Sequence, residues 1–175
     1  MMEIAPLAQQ LSDTPDAFPD CCLAISRPFL DYLASILPGP PGVTVSIGSG
    51  SGLLEALLAH CHTDRTVEGV EVNSTVNRYL SERDLNVVGG TWDLHPRVAS
   101  ATAWMFVYPR EPTLVRKYLD TYSDGAIATV VWLGPRADWP DYEPCFRHST
   151  FTDLELPEDV GLAPYEMVAV LRRSR

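Results

Sequence analysis

The clearest pattern of apolar and polar positions lies between residues 43 and 61. Residues 43–47 are rich in β-branched side chains, which favours a buried strand. A glycine-rich turn follows, and apolar residues then fall on one stripe at helical spacing: Leu53, Leu54, Leu57, Leu58 and Cys61. The pattern predicts a strand, a tight turn and a helix that packs back on the strand.

Similar patterns predict the rest of the chain. Short apolar or β-branched segments predict six further strands, over 66–72, 85–88, 102–107, 126–133, 145–156 and 166–171. Apolar residues spaced three or four positions apart predict one helix before Pro28 and another starting near it, both within residues 20–37. Further helices are predicted from a cap at Ser74 through Leu80 and over 113–122. The polar and aromatic segment 134–144 is predicted to be a loop. Strands with helices between the first five indicate a doubly wound α/β sheet.

Length and composition indicate one domain. A chain of 175 residues with 46% hydrophobic content is long enough for one hydrophobic core but too short for two domains of ordinary size. Pro6, Pro15 and Pro19 discourage regular structure near the start. We therefore expect a flexible arm over 1–19 and a single domain over 20–175.

Charge and cysteine usage exclude several classes of function. The net charge is −10 and the 13 basic residues are dispersed, apart from a short tail of Arg172, Arg173 and Arg175, so no basic stripe is predicted to bind nucleic acid. No apolar run approaches the ~20 residues that span a bilayer. The four cysteines show no C-x-x-C spacing and follow no secretory signal, which favours reduced thiols in a cytoplasmic protein.

The glycine turn carries the candidate chemistry. Gly48, Gly50 and Gly52 permit positive φ and close approach of a ligand, and the following helix directs free N–H groups toward it. The order G-x-G-x-G fails the dinucleotide fingerprint because Leu53 stands at its last glycine. Glu71 lies near the end of the second predicted strand, 19 positions beyond Gly52, where nucleotide-binding folds place the acid that binds ribose.

These residues resemble motif I of the class I S-adenosylmethionine-dependent methyltransferases, a Rossmann-like superfamily. The resemblance implies a mostly parallel seven-stranded sheet in the order 3-2-1-4-5-7-6, with helices on both faces. It implies S-adenosylmethionine as cofactor and S-adenosylhomocysteine as product. The implied cofactor-binding residues are Ser46, Gly48, Ser49, Gly50, Ser51, Gly52, Glu71, Val72, Thr91 and Trp92.

Two positions depart from the family pattern. Ser46 stands two positions before the first glycine, where the family commonly has an acidic residue, and Gly90 stands in place of the acid after the third strand. Each missing carboxylate removes charge-assisted hydrogen bonds, although the indole of Trp92 offers a stacking surface for adenine. A non-catalytic protein with this fold therefore stays an alternative to an enzyme, acting as a binding module or as the partner subunit of another protein.

The family's motif IV overlies residues 108–112 and makes Tyr108 and Arg110 the candidate catalytic residues. Together with Arg136, Trp139 and Tyr142 of segment 134–144, they suit a flat or partly apolar small molecule with an acidic or carbonyl group, or else form a structural lid. The leading prediction is a methyltransferase acting on a small molecule, without a metal, a membrane or nucleic acid. A protein partner or a homodimer is compatible with both alternatives.

Overall fold

The computed structural model of the protein describes residues 1–174, so that Arg175, the last residue of the predicted domain, lies outside the described part. The helices and strands, in chain order, are α1 Ala5–Gln10, α2 Arg27–Ile36, β1 Val43–Ile47, α3 Leu53–Cys61, β2 Thr66–Glu71, β3 Leu85–Val87, β4 Ala103–Val107, α4 Pro112–Tyr122, β5 Thr129–Pro135, α5 Trp139–Arg147, β6 Asp153–Glu155 and β7 Glu166–Arg172. Three short 3-10 turns, Ser74–Val76, Glu82–Asp84 and Pro96–Ser100, occupy connections where full helices are absent from the described chain.

The strands form one seven-stranded sheet in the order β3-β2-β1-β4-β5-β7-β6. The first five strands are parallel, and β7 pairs antiparallel with both β5 and β6. The predicted fold class and strand order are therefore confirmed. The order reverses between β1 and β4, and at such a point the carboxyl ends of neighbouring strands leave a crevice.

Alternating side chains of the central strands face two apolar layers. Ala103 and Met105 of β4 pack with α1, α2 and α3, whereas Trp104 and Phe106 of the same strand pack with α4 and α5. The period of two follows from strand geometry, and large apolar side chains on both faces are expected of a parallel strand covered on both sides. The α3 side of β1 is an exception to this apolar pattern, because the polar residue Ser46 is fully buried there.

Two predictions in the last third of the chain are wrong. Segment 134–144 is not a loop, because β5 continues to Pro135 and α5 begins at Trp139. The strand predicted over 145–156 shrinks to Asp153–Glu155, since its first residues belong to α5. The helix predicted after Ser74 is also wrong, since a single 3-10 turn stands there with Asn73 as its cap.

The first 26 residues carry more structure than their prolines suggested. Pro6 lies in the first turn of α1, where a missing N–H costs no hydrogen bond. Leu11 and Phe18 are buried in the core, and Asp16 pairs with Ile25 in an isolated antiparallel bridge. The helix predicted before Pro28 is absent: residues 19–20 form a turn, residues 22–23 form a bend, and α2 begins at Arg27.

Across residues 1–174, none of the helices has both the length and the apolar content that crossing a membrane requires.

Candidate functional site

The loop between β1 and α3 is shaped by three glycines in left-handed conformations. Gly48, Gly50 and Gly52 have φ values of 80°, 57° and 78°. A Cβ at Gly52 would lie 2.7 Å from Cγ of Leu80, so both sterics and backbone require glycine there. At Gly50, no described atom lies within 4 Å of a Cβ position, because the residue faces open space.

That open space is a cavity of about 480 Å³ at the carboxyl ends of β1, β2 and β4. Five stretches of chain surround it: residues 20–22, the glycine loop with the first turn of α3, the end of β2, the loop after β3, and the end of β4 with the start of α4. The predicted residues that line it are Gly48, Ser49, Gly50, Ser51, Glu71, Val72, Thr91, Tyr108 and Arg110. The structure therefore brings together nine of the twelve predicted site residues.

Glu71 closes the glycine loop from the end of β2. Its Oε2 accepts a hydrogen bond from the Gly50 N–H at 2.9 Å, and its Oε1 accepts one from the Val72 N–H at 2.8 Å. Bonds from backbone donors to a carboxylate hold both the side chain and the loop in place. The carboxylate is half-buried in the cavity wall, where a hydroxyl-bearing ligand can reach its remaining lone pairs.

Ser46, Gly52 and Trp92 are the predicted residues that do not line the cavity. Gly52 caps α3 and shapes the loop from behind, and Ser46 lies beneath the loop on β1. Trp92 is 46% exposed, and its carbonyl accepts a hydrogen bond from Lys117 Nζ. The structure does not place its indole in the cavity.

Ser46 leads to a residue that sequence reasoning missed. The Ser46 hydroxyl donates to Oε1 of Glu55 at 2.6 Å, and Glu55, in the first turn of α3, lines the cavity although its residue exposure is only 1%. Its Oε2 has no hydrogen-bond partner within residues 1–174. Burial raises the pKa of Glu55 to about 7, against the opposing effect of the Ser46 hydrogen bond, and the negative charge of Glu71 raises it further.

The sequence contained one signal for Glu55. Glu55 comes shortly after the last loop glycine, in the first predicted turn of the helix and at the edge of its apolar stripe. In a surface helix it would be a solvated first-turn acid, but here the helix start is covered by the N-terminal segment.

Two further lining residues add to the site. The buried Ser49 hydroxyl has no partner within the described chain. It fills the space left by the missing side chain of Gly69, since a Cβ at Gly69 would lie 2.4 Å from Ser49 Oγ. Asp93 Oδ2 lies 3.5 Å from where a Gly90 side chain would begin. A carboxylate thus stands beside the position at which the family's acid is missing from the sequence.

Tyr108 directly follows β4 and has a strained backbone conformation, with φ of 47°. Its N–H donates to the Leu133 carbonyl at 2.7 Å, and its hydroxyl donates to Oε2 of the fully buried Glu166 at 2.5 Å. Glu166 Oε1 accepts a further bond from the Ala24 N–H at 3.2 Å. Burial raises the pKa of both Tyr108 and Glu166, which keeps the phenol protonated. A non-glycine residue held at positive φ in a cavity wall is typical of functional sites.

The N-terminal segment forms the last wall. The Ser51 hydroxyl donates to the Asp20 carbonyl at 2.7 Å, and Arg78 Nη1 lies 3.3 Å from the Asp20 carboxylate. Cys21 and Cys22 follow in the cavity wall, and burial raises the pKa of the Cys21 thiol to about 12. The Cys21 thiol therefore stays protonated near neutral pH.

The aromatic residues of segment 134–144 that were predicted to contact the substrate do not line the cavity. Trp139 and Tyr142 are buried in α5, with ring centroids 5.1 Å and 5.3 Å from that of Trp132. Arg136 is exposed and donates through Nε to the Pro164 carbonyl at 3.0 Å. Of the residues predicted to recognise substrate, Tyr108 and Arg110 alone line the cavity.

Comparisons with known proteins place the fold. No protein-family model matches the sequence, and no match is found among curated proteins. Solved structures do match: an S-adenosylmethionine-dependent methyltransferase from Aquifex aeolicus is 9% identical with a TM-score of 0.60, and the match covers 99% of this chain and 100% of that one.

Two other solved structures differ in what they act on. The human N-acetylserotonin methyltransferase in complex with S-adenosylmethionine is 11% identical with a TM-score of 0.55, and the match covers 76% of this chain but 48% of the human protein. The 23S rRNA methyltransferase ErmE is 19% identical with a TM-score of 0.56, over 86% of this chain and 69% of ErmE. At these identities the likeness shows the fold, which is that of the class I S-adenosylmethionine-dependent methyltransferases, as the resemblance of the glycine loop predicted.

Proposed function

We propose that the protein transfers a methyl group from S-adenosylmethionine to a small molecule. The observation that carries the proposal is the cavity itself, which lies at the reversal of strand order and joins the glycine loop, Glu71 and Tyr108 in one wall. Open α/β sheets bind ligands at that place. The four cysteines are free, in keeping with the cytoplasmic location that we also propose.

The lining residues fit the cofactor's charge and shape. Five carboxyl side chains line the cavity, from Asp20, Glu55, Glu71, Asp93 and Glu111, and Arg110 is the single cationic side chain among its described lining residues. A sulfonium and an ammonium group give S-adenosylmethionine two positive charges, which such a lining stabilises. Glu55 lines the cavity and has a buried oxygen without a partner in the described chain, which leaves one polar contact for a ligand to complete.

The chain's own residues would act mainly by positioning. When bound, S-adenosylmethionine supplies an activated methyl group, and transfer needs an acceptor held in line with it. Tyr108, fixed by Glu166 from behind, is placed to orient that acceptor, and the exposed guanidinium of Arg110 offers it a bidentate contact.

The charge distribution favours a small-molecule acceptor over RNA. RNA-modifying and small-molecule-modifying enzymes share this fold, so that the fold alone does not select the acceptor. A net charge of −10 opposes binding of a phosphate backbone, and a single arginine at the cavity provides little counter-charge.

We expect calorimetric titration to detect binding of S-adenosylmethionine and S-adenosylhomocysteine with one site per chain. A short RNA hairpin titrated at 0.15 M salt is the control, and we expect no binding to it because the net charge is repulsive. Absence of cofactor binding at millimolar concentration would contradict the proposal, and RNA binding would contradict the small-molecule assignment.

A second function is favoured by one contact. Because Glu71 already accepts bonds from the Gly50 and Val72 N–H groups, these two donors are satisfied without a ligand, which suits a non-catalytic binding module or partner subunit. Failure of the titrations, together with a dimer or hetero-complex in sedimentation experiments, would support this alternative.

Glu71→Ala tests the proposed ribose contact. We expect the affinity for S-adenosylhomocysteine to fall by about 1.5 to 3 kcal/mol, because a hydrogen bond to a charged group is lost. Stability should fall as well, since the Gly50 and Val72 N–H groups lose their acceptor. Glu68→Ala is the matched control on the same strand: Glu68 lies outside the cavity lining and pairs with Arg97 Nε at 2.8 Å. Its loss should lower stability and leave affinity unchanged. Equal affinities of wild type and Glu71→Ala would contradict the contact.

A further inference from the structure

Glu55 is held in a way that folding alone does not explain. Glu55 is a lining residue of the cavity and its side chain is fully buried. The Ser46 hydroxyl at 2.6 Å satisfies one carboxyl oxygen, and the second oxygen is buried without a partner in the described chain. A buried carboxylate with an unused oxygen costs free energy that a neutral side chain of the same size would avoid. The other buried positions in this turn, Leu53 and Leu54, are apolar.

The position of Glu55 also puts it beside the proposed cofactor site. Glu55 stands in the first turn of the nine-residue helix α3, directly after the glycine loop. Its hydrogen-bond partner on β1 is Ser46, the residue that stands where the family pattern has an acid. The carboxylate missing from the strand is therefore present at the same place, supplied from the helix.

No positive charge of the described protein neutralises this carboxylate. Glu71 on β2 and Cys21 on the N-terminal segment are the titratable groups that face it, and the β1 neighbour Ser46 is neutral. Glu71 adds negative charge, and the Cys21 thiol is protonated. A cationic hydrogen-bond donor is thus the chemical partner that the unused oxygen lacks.

We propose that Glu55 is the cation-binding residue of this cavity and holds the ammonium group at the amino-acid end of the bound cofactor. The inference rests on the proposed function and extends it by assigning this subsite to a helix residue.

The experiment compares two ligands that differ at this end. S-adenosylhomocysteine carries the ammonium group, whereas 5′-methylthioadenosine keeps the nucleoside and thioether but lacks the amino-acid end. For Glu55→Gln we expect the dissociation constant of S-adenosylhomocysteine to rise about 10- to 100-fold, since a charge-assisted bond is lost, and that of 5′-methylthioadenosine to stay within about twofold.

Glu82→Gln, at an exposed position outside the cavity, is the control for the change in net charge, and both ligands should bind it as they bind wild type. An equal loss for both ligands with Glu55→Gln, or no loss for either, overturns the assignment while leaving the proposed function intact. Failure of wild type to bind S-adenosylhomocysteine and S-adenosylmethionine would instead refute the proposed function.

A measurement on wild type alone decides the matter if Glu55→Gln fails to fold. Because Glu55 must be ionised to hold an ammonium group and its pKa lies at about 7, affinity for S-adenosylhomocysteine should rise between pH 5.5 and 8. Affinity for 5′-methylthioadenosine should not follow that rise. Parallel profiles for the two ligands would then overturn the assignment.

Discussion

Gly50→Val is expected to lower the affinity for S-adenosylhomocysteine by at least about 100-fold while the protein stays folded. Gly50 has φ of 57° and lines the cavity, and a Cβ there meets no described atom within 4 Å. The valine side chain would therefore project into the space that the ligand needs rather than into the core. Strain of a β-branched residue at positive φ should cost about 1 to 3 kcal/mol of stability.

Asp159→Val separates the two effects. Asp159 has φ of 56°, almost the backbone conformation of Gly50, but it is exposed and lies outside the cavity lining. Its substitution should bring a comparable loss in the free energy of unfolding without loss of affinity. Thermal melts and calorimetry on the two variants make the comparison, and undiminished ligand binding by Gly50→Val would mean that the loop is only a turn.

The sheet could be predicted from the sequence because its signals are local. The segments 43–47 and 66–72 are short and β-branched, and the structure places β1 and β2 within them. The glycine loop was recognisable for the same reason, since glycine at alternate positions between a strand and a helix has few other uses.

Helix α5 shows where local signals fail. Pro140 and Pro144 argue against a helix, yet Pro140 falls in its first turn, where no N–H bond is lost. Trp139, Tyr142 and Phe146 are buried on one face of the helix, where the first two pack at tilted angles against Trp132 of β5. Burial of three aromatic rings outweighs the weak propensity, and that gain is invisible without the neighbouring strand.

The candidate site likewise has one part that could be predicted from the sequence and another part that could not. The glycine loop and Glu71 lie next to each other in the strand order and follow from chain spacing. Glu55 and Asp93 could not be assigned in that way, because each reaches its place only through the fold. Glu55 accepts a hydrogen bond from Ser46 and Asp93 lies beside Gly90, so that a carboxylate stands next to each of the two positions where the sequence lacks one.

Glu55→Gln should make the ligand-free protein more stable at pH 8 than wild type. The pKa of about 7 in the folded protein, against 4.5 for an ordinary glutamate, means that the folded state holds this proton more tightly than the unfolded state does. The difference is worth about 3 kcal/mol, and wild type loses that stability as pH rises from 4.5 through 7. Glutamine has no proton to lose and escapes the penalty.

The predicted signature is a pH-dependent gap between two melting curves. At pH 8 the variant should melt about 5 to 10 °C above wild type, and at pH 5, where Glu55 is protonated in the folded protein, the gap should shrink to about a quarter of that. Glu166, whose pKa burial also raises, is present in both proteins and cancels in the comparison. Glu82→Gln should melt with wild type at both pH values. A variant less stable than wild type at pH 8 would show that the Glu55 carboxylate stabilises the fold, and its unused oxygen would then no longer indicate a site kept for a ligand.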